Sequence, residues 1–286
     1  MKNGFIIFAV VLIIISAGAV HAETDPCYDA VKQGKYQDAI DVCTKQINIS
    51  ADEKTITASY RNRGIAYLAK GNPDLAIADF DIAIKRDGRD AAAYSNRGVA
   101  YMSKKQYFLA TADLDKAIEL NPKDDVSYRN RGAVYMGKGQ PDQAIADFNK
   151  AIELDPKSDE AYNDLGVAYL GKNKVDLAMA AFDKAIELNP KNDEPYRNRG
   201  AAHMAAGRFD AAKADLGKAT ELDPSDNRAY YNMACLYSLQ KNVKESCSWL
   251  QKAVDKGYDN WDHIKQDSDL ENIRQAECYQ KIVKEK

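Results

Sequence analysis

The chain has 286 residues, of which 45% are apolar and 29% charged, and a formal net charge of −3. That balance excludes a disordered chain, which would have too few apolar residues to offset the entropy lost on folding. Lys and Arg are dispersed among Asp and Glu, so no clustered basic surface for nucleic acid is expected.

The first segment stands apart from the rest. Lys2 precedes an apolar run from Phe5 to Ile15, followed by Ser16, Ala17, Gly18 and Ala19 and then Val20-His21-Ala22. This order of charge, apolar stretch and small residues predicts a secretory signal peptide over residues 1–22, cleaved after Ala22. The alternative is an uncleaved segment that anchors the chain to a membrane. Phe5 to Val20 is 16 residues long, short of the roughly 20 that a span requires. Cys27 follows Thr24-Asp25-Pro26, without the apolar and small residues that precede a lipidated cysteine. The expected location is therefore periplasmic or secreted.

Such a compartment permits disulfides. The five cysteines, Cys27, Cys43, Cys235, Cys247 and Cys278, form no CxxC pair and have no His at metal-ligand spacing, so no metal is expected. Their odd number leaves at least one thiol free or paired between chains.

From Thr57 onward the chain repeats itself. Gly64, Gly98, Gly132, Gly166 and Gly200 are each 34 residues apart, and taking this Gly as position 8 starts the repeats at Thr57, Ala91, Asp125, Asp159, Asp193 and Asn227. Position 4 is Tyr in all six, from Tyr60 to Tyr230; position 11 is Tyr except at His203. Position 20 is Ala until Ser246, position 24 is Phe or Leu, and position 27 is Ala throughout. Positions 4, 8 and 11 make one helical stripe, and positions 20, 24 and 27 make a second. Gly at 8 opposite Ala at 20 predicts two closely packed helices, A and B. Pro122, Pro156, Pro190 and Pro224 at position 32 end helix B, and the Asp, Asn or Ser that follows suits the next N-cap.

These residues resemble the tetratricopeptide repeat family over residues 57–260, in six units. The resemblance implies an all-α solenoid, a right-handed superhelix of antiparallel helix pairs with about thirteen to sixteen helices in all. Ahead of it, Gly34, Tyr36 and Ala39 in residues 23–56 resemble a degenerate first repeat. After it, residues 261–286 resemble a C-terminal capping helix, with Leu270, Ile273, Ala276 and Tyr279 at roughly helical steps.

Where the family usually has Leu at position 7, this chain has Arg63, Arg97, Arg131 and Arg199, but Leu165 and Met233 in repeats 4 and 6. Position 23 answers in step with Asp79, Asp113, Asp147 and Asp215, but Ala181 and Trp249. This covariation among copies predicts an Arg–Asp bridge between helices A and B of one repeat. Pairing with the preceding repeat's position 23 would leave Arg199 facing Ala181.

The resemblance places helix A on a concave face, lined by positions 2, 5, 6, 9, 12 and 13. Position 6 is Asn62, Asn96, Asn130, Asp164, Asn198 and Asn232. A side-chain amide donates and accepts, as an extended peptide backbone requires. Two readings stand: the column grips a peptide, or it holds neighbouring repeats together. Arg61, Arg129 and Arg197 at position 5 would make the groove basic early, and Met102, Met136 and Met204 at position 12 offer an adaptable floor. The carboxylate clamp known in the family is not matched, because position 9 holds Ile65, Val99, Ala133, Val167, Ala201 and Cys235 rather than Asn.

Gly132-x4-Gly137-Lys138 and Gly166-x4-Gly171-Lys172 fail as phosphate loops, since Gly139 and Asn173 stand where Ser or Thr is needed and no strand precedes. They read as packing and turn glycines. His203 reads as a core substitute for Tyr. No nucleophile–base constellation assembles, so neither an enzyme, nor a cofactor, nor a small-molecule substrate is expected. Cys27 and Cys43 fall at the equivalents of positions 8 and 24 of the degenerate repeat, and Cys247 lies on the last helix B, facing the segment that carries Cys278. One staple per end, Cys27–Cys43 and Cys247–Cys278, is expected, leaving Cys235 free. The expected function is a non-enzymatic scaffold for other proteins or extended peptides; the alternative is a passive spacer or oligomer-forming subunit.

Overall fold

The computed structural model describes residues 25–284, and the candidate signal peptide lies outside them. The described residues form sixteen α-helices and one short 3-10 helix, with no strand among them. None of these helices is long and apolar enough to cross a membrane. They fall into two compact units, 25–156 and 157–284.

The first unit holds α1 (Pro26–Lys32), α2 (Tyr36–Ile49), α3 (Glu53–Ala69), α4 (Pro73–Arg86), α5 (Ala91–Ser103), α6 (Tyr107–Leu120), α7 (Asp125–Gly137) and α8 (Pro141–Leu154). Local chemistry sets these bounds. Asp90 accepts from the Ala93 amide at 3.0 Å and starts α5. Pro73 and Pro141 open α4 and α8, where a missing N–H costs nothing. Helix A turns into helix B through one residue with φ near +60 to +75°, Gly71 or Gly139, with Lys105 taking the same backbone in the second repeat.

Inside each hairpin the two helices nearly touch. A Cβ added at Gly64 would come within 2.6 Å of the Phe80 ring, and one at Gly132 within 2.6 Å of Phe148. At Gly98 it would meet Leu114 at 2.9 Å and the Ala110 carbonyl at 3.2 Å. Position 8 is thus empty mainly to admit the large side chain at position 24, with the small position 20 letting the backbones approach. Phe80, Leu114 and Ala110 are fully buried as a result.

The second unit repeats this plan in α9 (Asp159–Gly171), α10 (Val175–Leu188), α11 (Asp193–Ala205), α12 (Phe209–Leu222), α13 (Asn227–Leu239) and α14 (Val243–Asp255). Helices α10 and α12 stop at Leu188 and Leu222, two residues before Pro190 and Pro224. The closing segment departs from the expected capping helix. It starts as α15 (Trp261–Gln266), breaks at Asp267, makes a 3-10 turn over Ser268–Ile273, and resumes as α16 (Glu277–Lys284). The break has a cause: Asp267 is extended, its carboxylate accepts from the Asp269 amide at 3.0 Å and from the Tyr231 hydroxyl at 2.7 Å. Ile264, Leu270 and Ile273 are nevertheless fully buried against the apolar cluster around Leu236 and Leu250.

Each end carries a cystine. Cys27 pairs with Cys43 across α1 and α2, their Cα atoms 4.9 Å apart, and Cys247 pairs with Cys278 across α14 and α16 at 6.0 Å. Cys235 is free and buried.

Candidate binding face and its flanking charges

The four position-7 arginines share one geometry. Arg97 on α5 donates from Nε and Nη2 to the two carboxylate oxygens of Asp113 on α6, both at 2.7 Å. Arg63–Asp79, Arg131–Asp147 and Arg199–Asp215 repeat this fork at 2.7–2.8 Å. The carboxylates are buried and the guanidinium groups about one-fifth exposed. Tyr rings at positions 4 and 11 flank the guanidinium, with centroids 5.3–5.9 Å from Cζ in the first three cases. Hydrogen bonding to Asp113 raises the Arg97 pKa despite the opposing effect of burial, and the other three shift the same way.

The remaining nitrogen, Nη1, adds a link that sequence reading missed. It reaches back to position 25 of the preceding repeat: Arg97 to Asp81 at 2.6 Å, Arg131 to Asp115 at 2.7 Å and Arg199 to Asp183 at 2.6 Å. Arg63 donates instead to Thr44 at 3.0 Å. The signal was present in the copies. Ahead of Leu165 and Met233, position 25 holds Asn149 and Gly217 instead of Asp.

Position 11 of repeat 5 is the exception among the flanking rings. His203 is half-buried, its Nε2 3.7 Å from the Asp215 carboxylate and its Nδ1 buried without a partner. Burial holds its pKa below the ordinary histidine value.

On the helix-A face the position-6 side chains are largely covered by their neighbours. Asn62, Asn96 and Asn130 are 2%, 3% and 9% exposed, while Asp164, Asn198 and Asn232 are half-buried. Asn130 Nδ2 donates to Ser95 Oγ at 3.4 Å, and Asn198 Nδ2 donates to Asn163 Oδ1 at 2.8 Å. Each bond joins position 6 to position 5 of the preceding repeat, so these two amides hold neighbouring repeats together. Asn96 has no such acceptor. The position 5 before it is Arg61, which can only donate, and Asn96 Nδ2 is buried without a partner.

The arginines expected to make the groove basic are engaged within the protein. Arg61 donates to the N-capping carboxylate Asp90 at 2.7 Å. Arg129 is buried. Arg197 is buried among Asp226, Glu194 at 3.3 Å and Asp193 at 3.5 Å. What the face offers outward is small and apolar: half-buried Ala133, Val167, Ala201, Met102, Met136 and Leu170, beside exposed Ser103, Gly137, Gly171 and Ala205. Gly137 leaves room for the Tyr107 ring and Gly139 takes φ +70°, so the failed phosphate-loop glycines serve packing and turning.

Cys235 does not face an open groove. The closing segment covers it, its Sγ lies 3.6 Å from Asp267 Oδ2, and burial pushes its pKa well above the ordinary value, which makes it a poor nucleophile. Among the described residues no group of His, Cys, Asp or Glu could hold a metal ion.

The chain matches the tetratricopeptide repeat family over residues 61–125, 129–193 and 197–260, more than half of its length. It belongs to that family, whose fold is that of protein–protein interaction scaffolds. Among curated proteins none matches the chain. Solved structures of similar fold include the Cut9–Hcn1 hetero-tetramer of APC/C, with a TM-score of 0.74 at 17% identity over 87% of this chain and 48% of that one. A tetratricopeptide repeat protein from Parabacteroides merdae gives 0.67 at 19% identity over 87% and 94% of the two chains. Pseudomonas aeruginosa pilF gives 0.61 at 17% over 82% and 99%. At these identities the likeness is one of fold.

Two predictions follow from the clamp and its neighbour. In a double-mutant cycle, Arg97→Leu should cost about 3 kcal/mol in denaturant unfolding, since it strands the buried Asp113, and Asp113→Ala less, since Arg97 is partly exposed and keeps its bond to Asp81. The double variant should recover much of that loss, and additive losses would show that the pair is not coupled. For His203, the lowered folded pKa means that stability is fully present above the unfolded value, about 6.5, and declines as pH falls below it. His203→Tyr, the residue at position 11 of every other repeat, should flatten the melting temperature between pH 7 and pH 5 relative to the parent; an unchanged slope would contradict the assignment.

Proposed function

We propose that the protein is a non-enzymatic adaptor that holds extended segments of other polypeptides along its helix-A face, outside the cytoplasm. The observation that carries this reading is the Asn96 amide, a buried donor without an acceptor in a row where Asn130 and Asn198 have theirs. An unmet buried donor costs about 1–3 kcal/mol, and a peptide carbonyl would relieve that cost. Small residues stand one repeat on, Ala133 at position 9 and Gly137 at position 13, and the methionines at position 12 adapt to varied side chains. Residues 23–56, 57–260 and 261–286 are read as leading hairpin, repeat array and closing segment of this adaptor.

A second reading has its own support. Seam bonds at Asn130 and Asn198 and the occupied Arg61 and Arg197 suit a passive spacer or oligomer-forming subunit, which needs no ligand on this face. Asn96→Ala separates the two. Binding of a reduced, carboxymethylated and permanently unfolded protein, read by fluorescence anisotropy, should weaken about fivefold, the worth of one net hydrogen bond. Stability should hold or rise, because the orphan donor is gone. Lost stability with unchanged binding would make Asn96 structural and favour the spacer.

Export rests on the N-terminal segment and on the two cystines, which an oxidising compartment sustains. Peptide mapping without reductant, on protein from its native source, should give an N-terminus at Glu23 and linked Cys27–Cys43 and Cys247–Cys278 peptides. An intact Met1 on a membrane-bound product, or full alkylation without reductant, would overturn export.

A further inference from the structure

The turns that join helix A to helix B carry a lysine at position 14 in the first four repeats, and helix B carries Asp at position 18 in four of the six. These two positions meet across repeats: Lys104 pairs with Asp74 of the repeat before it. One repeat on, the arrangement is broken. Phe108 stands at position 18 where Asp74, Asp142, Asp176 and Asp210 stand in sibling repeats, and it is 84% exposed. Lys138, the counterpart of Lys104, therefore has no carboxylate and lies over the Tyr135 ring at 5.3 Å.

Phe108 and Lys138 share one edge of the first unit. Tyr107, the residue before Phe108, packs its ring so closely on Gly137 that a Cβ there would come within 2.7 Å, and Lys138 is the next residue. The Lys104–Asp74 pair ties the same edge to Leu75, which is 51% exposed, and Leu109 beside Phe108 is 43% exposed. Lys105, exposed in the intervening turn, has no ion pair among the described residues. An exposed aromatic flanked by two leucines and two uncompensated lysines is an apolar anchor with a cationic rim.

We propose that this edge, formed by Leu75, Lys105, Phe108, Leu109 and Lys138, docks an acidic segment of a partner protein. The partner would cover the Phe108 ring with apolar side chains and place carboxylates against Lys105 and Lys138. A discrete segment fits better than an anionic lipid surface, because Lys105 and Lys138 are two uncompensated cations, the charge of Lys104 being taken by Asp74, whereas lipid-binding surfaces gather a cluster of roughly four to eight Lys or Arg. The site is separate from the helix-A face and does not rest on the peptide-holding role of Asn96.

The test uses the full-length mature chain and a fluorescein-labelled peptide of alternating Glu and Leu with one central Phe. Binding is expected, falling with added salt. It should weaken at least tenfold in Phe108→Asp and severalfold in Lys138→Glu, and stay unchanged in Asn96→Ala. Phe108→Asp restores the residue used by four sibling repeats, so folding should survive; circular dichroism checks this. The same peptide with Lys for Glu should not bind. The proposal is overturned if the acidic peptide fails to bind or binds Phe108→Asp equally. It is also overturned if Phe108→Asp abolishes binding to phosphatidylglycerol vesicles without any peptide binding, or abolishes self-association in sedimentation, which would assign the patch to lipid or to a second copy.

Discussion

Five of the six repeats depend on a missing carbon. Glycine at position 8 lets helix A lie so close to helix B that a Cβ at Gly166 would stand 2.5 Å from the Phe182 ring. At that separation a large apolar side chain from helix B is buried under helix A, and positions 7 and 23 face each other within reach of a two-bond fork. Clamp, flanking tyrosines and the back-reaching bond to position 25 all follow from this approach. In the five repeats with Gly at position 8 a methyl group there would push the hairpin open, at the roughly 1–3 kcal/mol typical of overpacking, and would loosen each of those contacts together. Repeat 6, by contrast, accommodates Ala234 in the same core as Leu250.

Repeats 4 and 6 pack without the ion pair, the first with Gly166 and the second with Ala234 at position 8. Leu165 and Ala181 occupy the clamp positions in one, and Met233 and Trp249 in the other. In repeat 6 the indole is taken up by Tyr230, at 5.7 Å between centroids, and by Lys252, 4.2 Å above the ring. A buried pair and a well-packed apolar pair are close to equal in stability. The arginines add what an apolar pair lacks: a directed bond to the repeat before, which fixes how successive hairpins meet. The ends of the array have one neighbour each, and there the cystines and the buried Ile264, Leu270 and Ile273 take over.

Much of this was legible in the sequence because the information is local or repeated. Helix ends follow from prolines and capping residues a few positions away, and the Arg–Asp pairing follows from six copies varying in step. The Nη1 bond to Asp81, Asp115 and Asp183 escaped because it crosses repeats, although position 25 varies with the next position 7. Burial of Asn62, Asn96 and Asn130 was not legible, since a column of amides looks the same whether it faces a ligand or a neighbouring helix. The closing segment kept a helical spacing of apolar residues, but Asp267 offers its carboxylate to Asp269 and Tyr231, and that tertiary bond outweighs the periodicity.

The proposed function places partner polypeptide against the helix-A faces of the repeats. Site-specific photocrosslinking in the native compartment tests this most directly. With a benzoyl-phenylalanine placed singly at Ala133 or Ala201, half-buried on helix A, the account predicts crosslinks to partner chains; at Lys150, on the outer side of α8, it predicts none. Crosslinks from Lys150 and silence from Ala133 and Ala201 would contradict it.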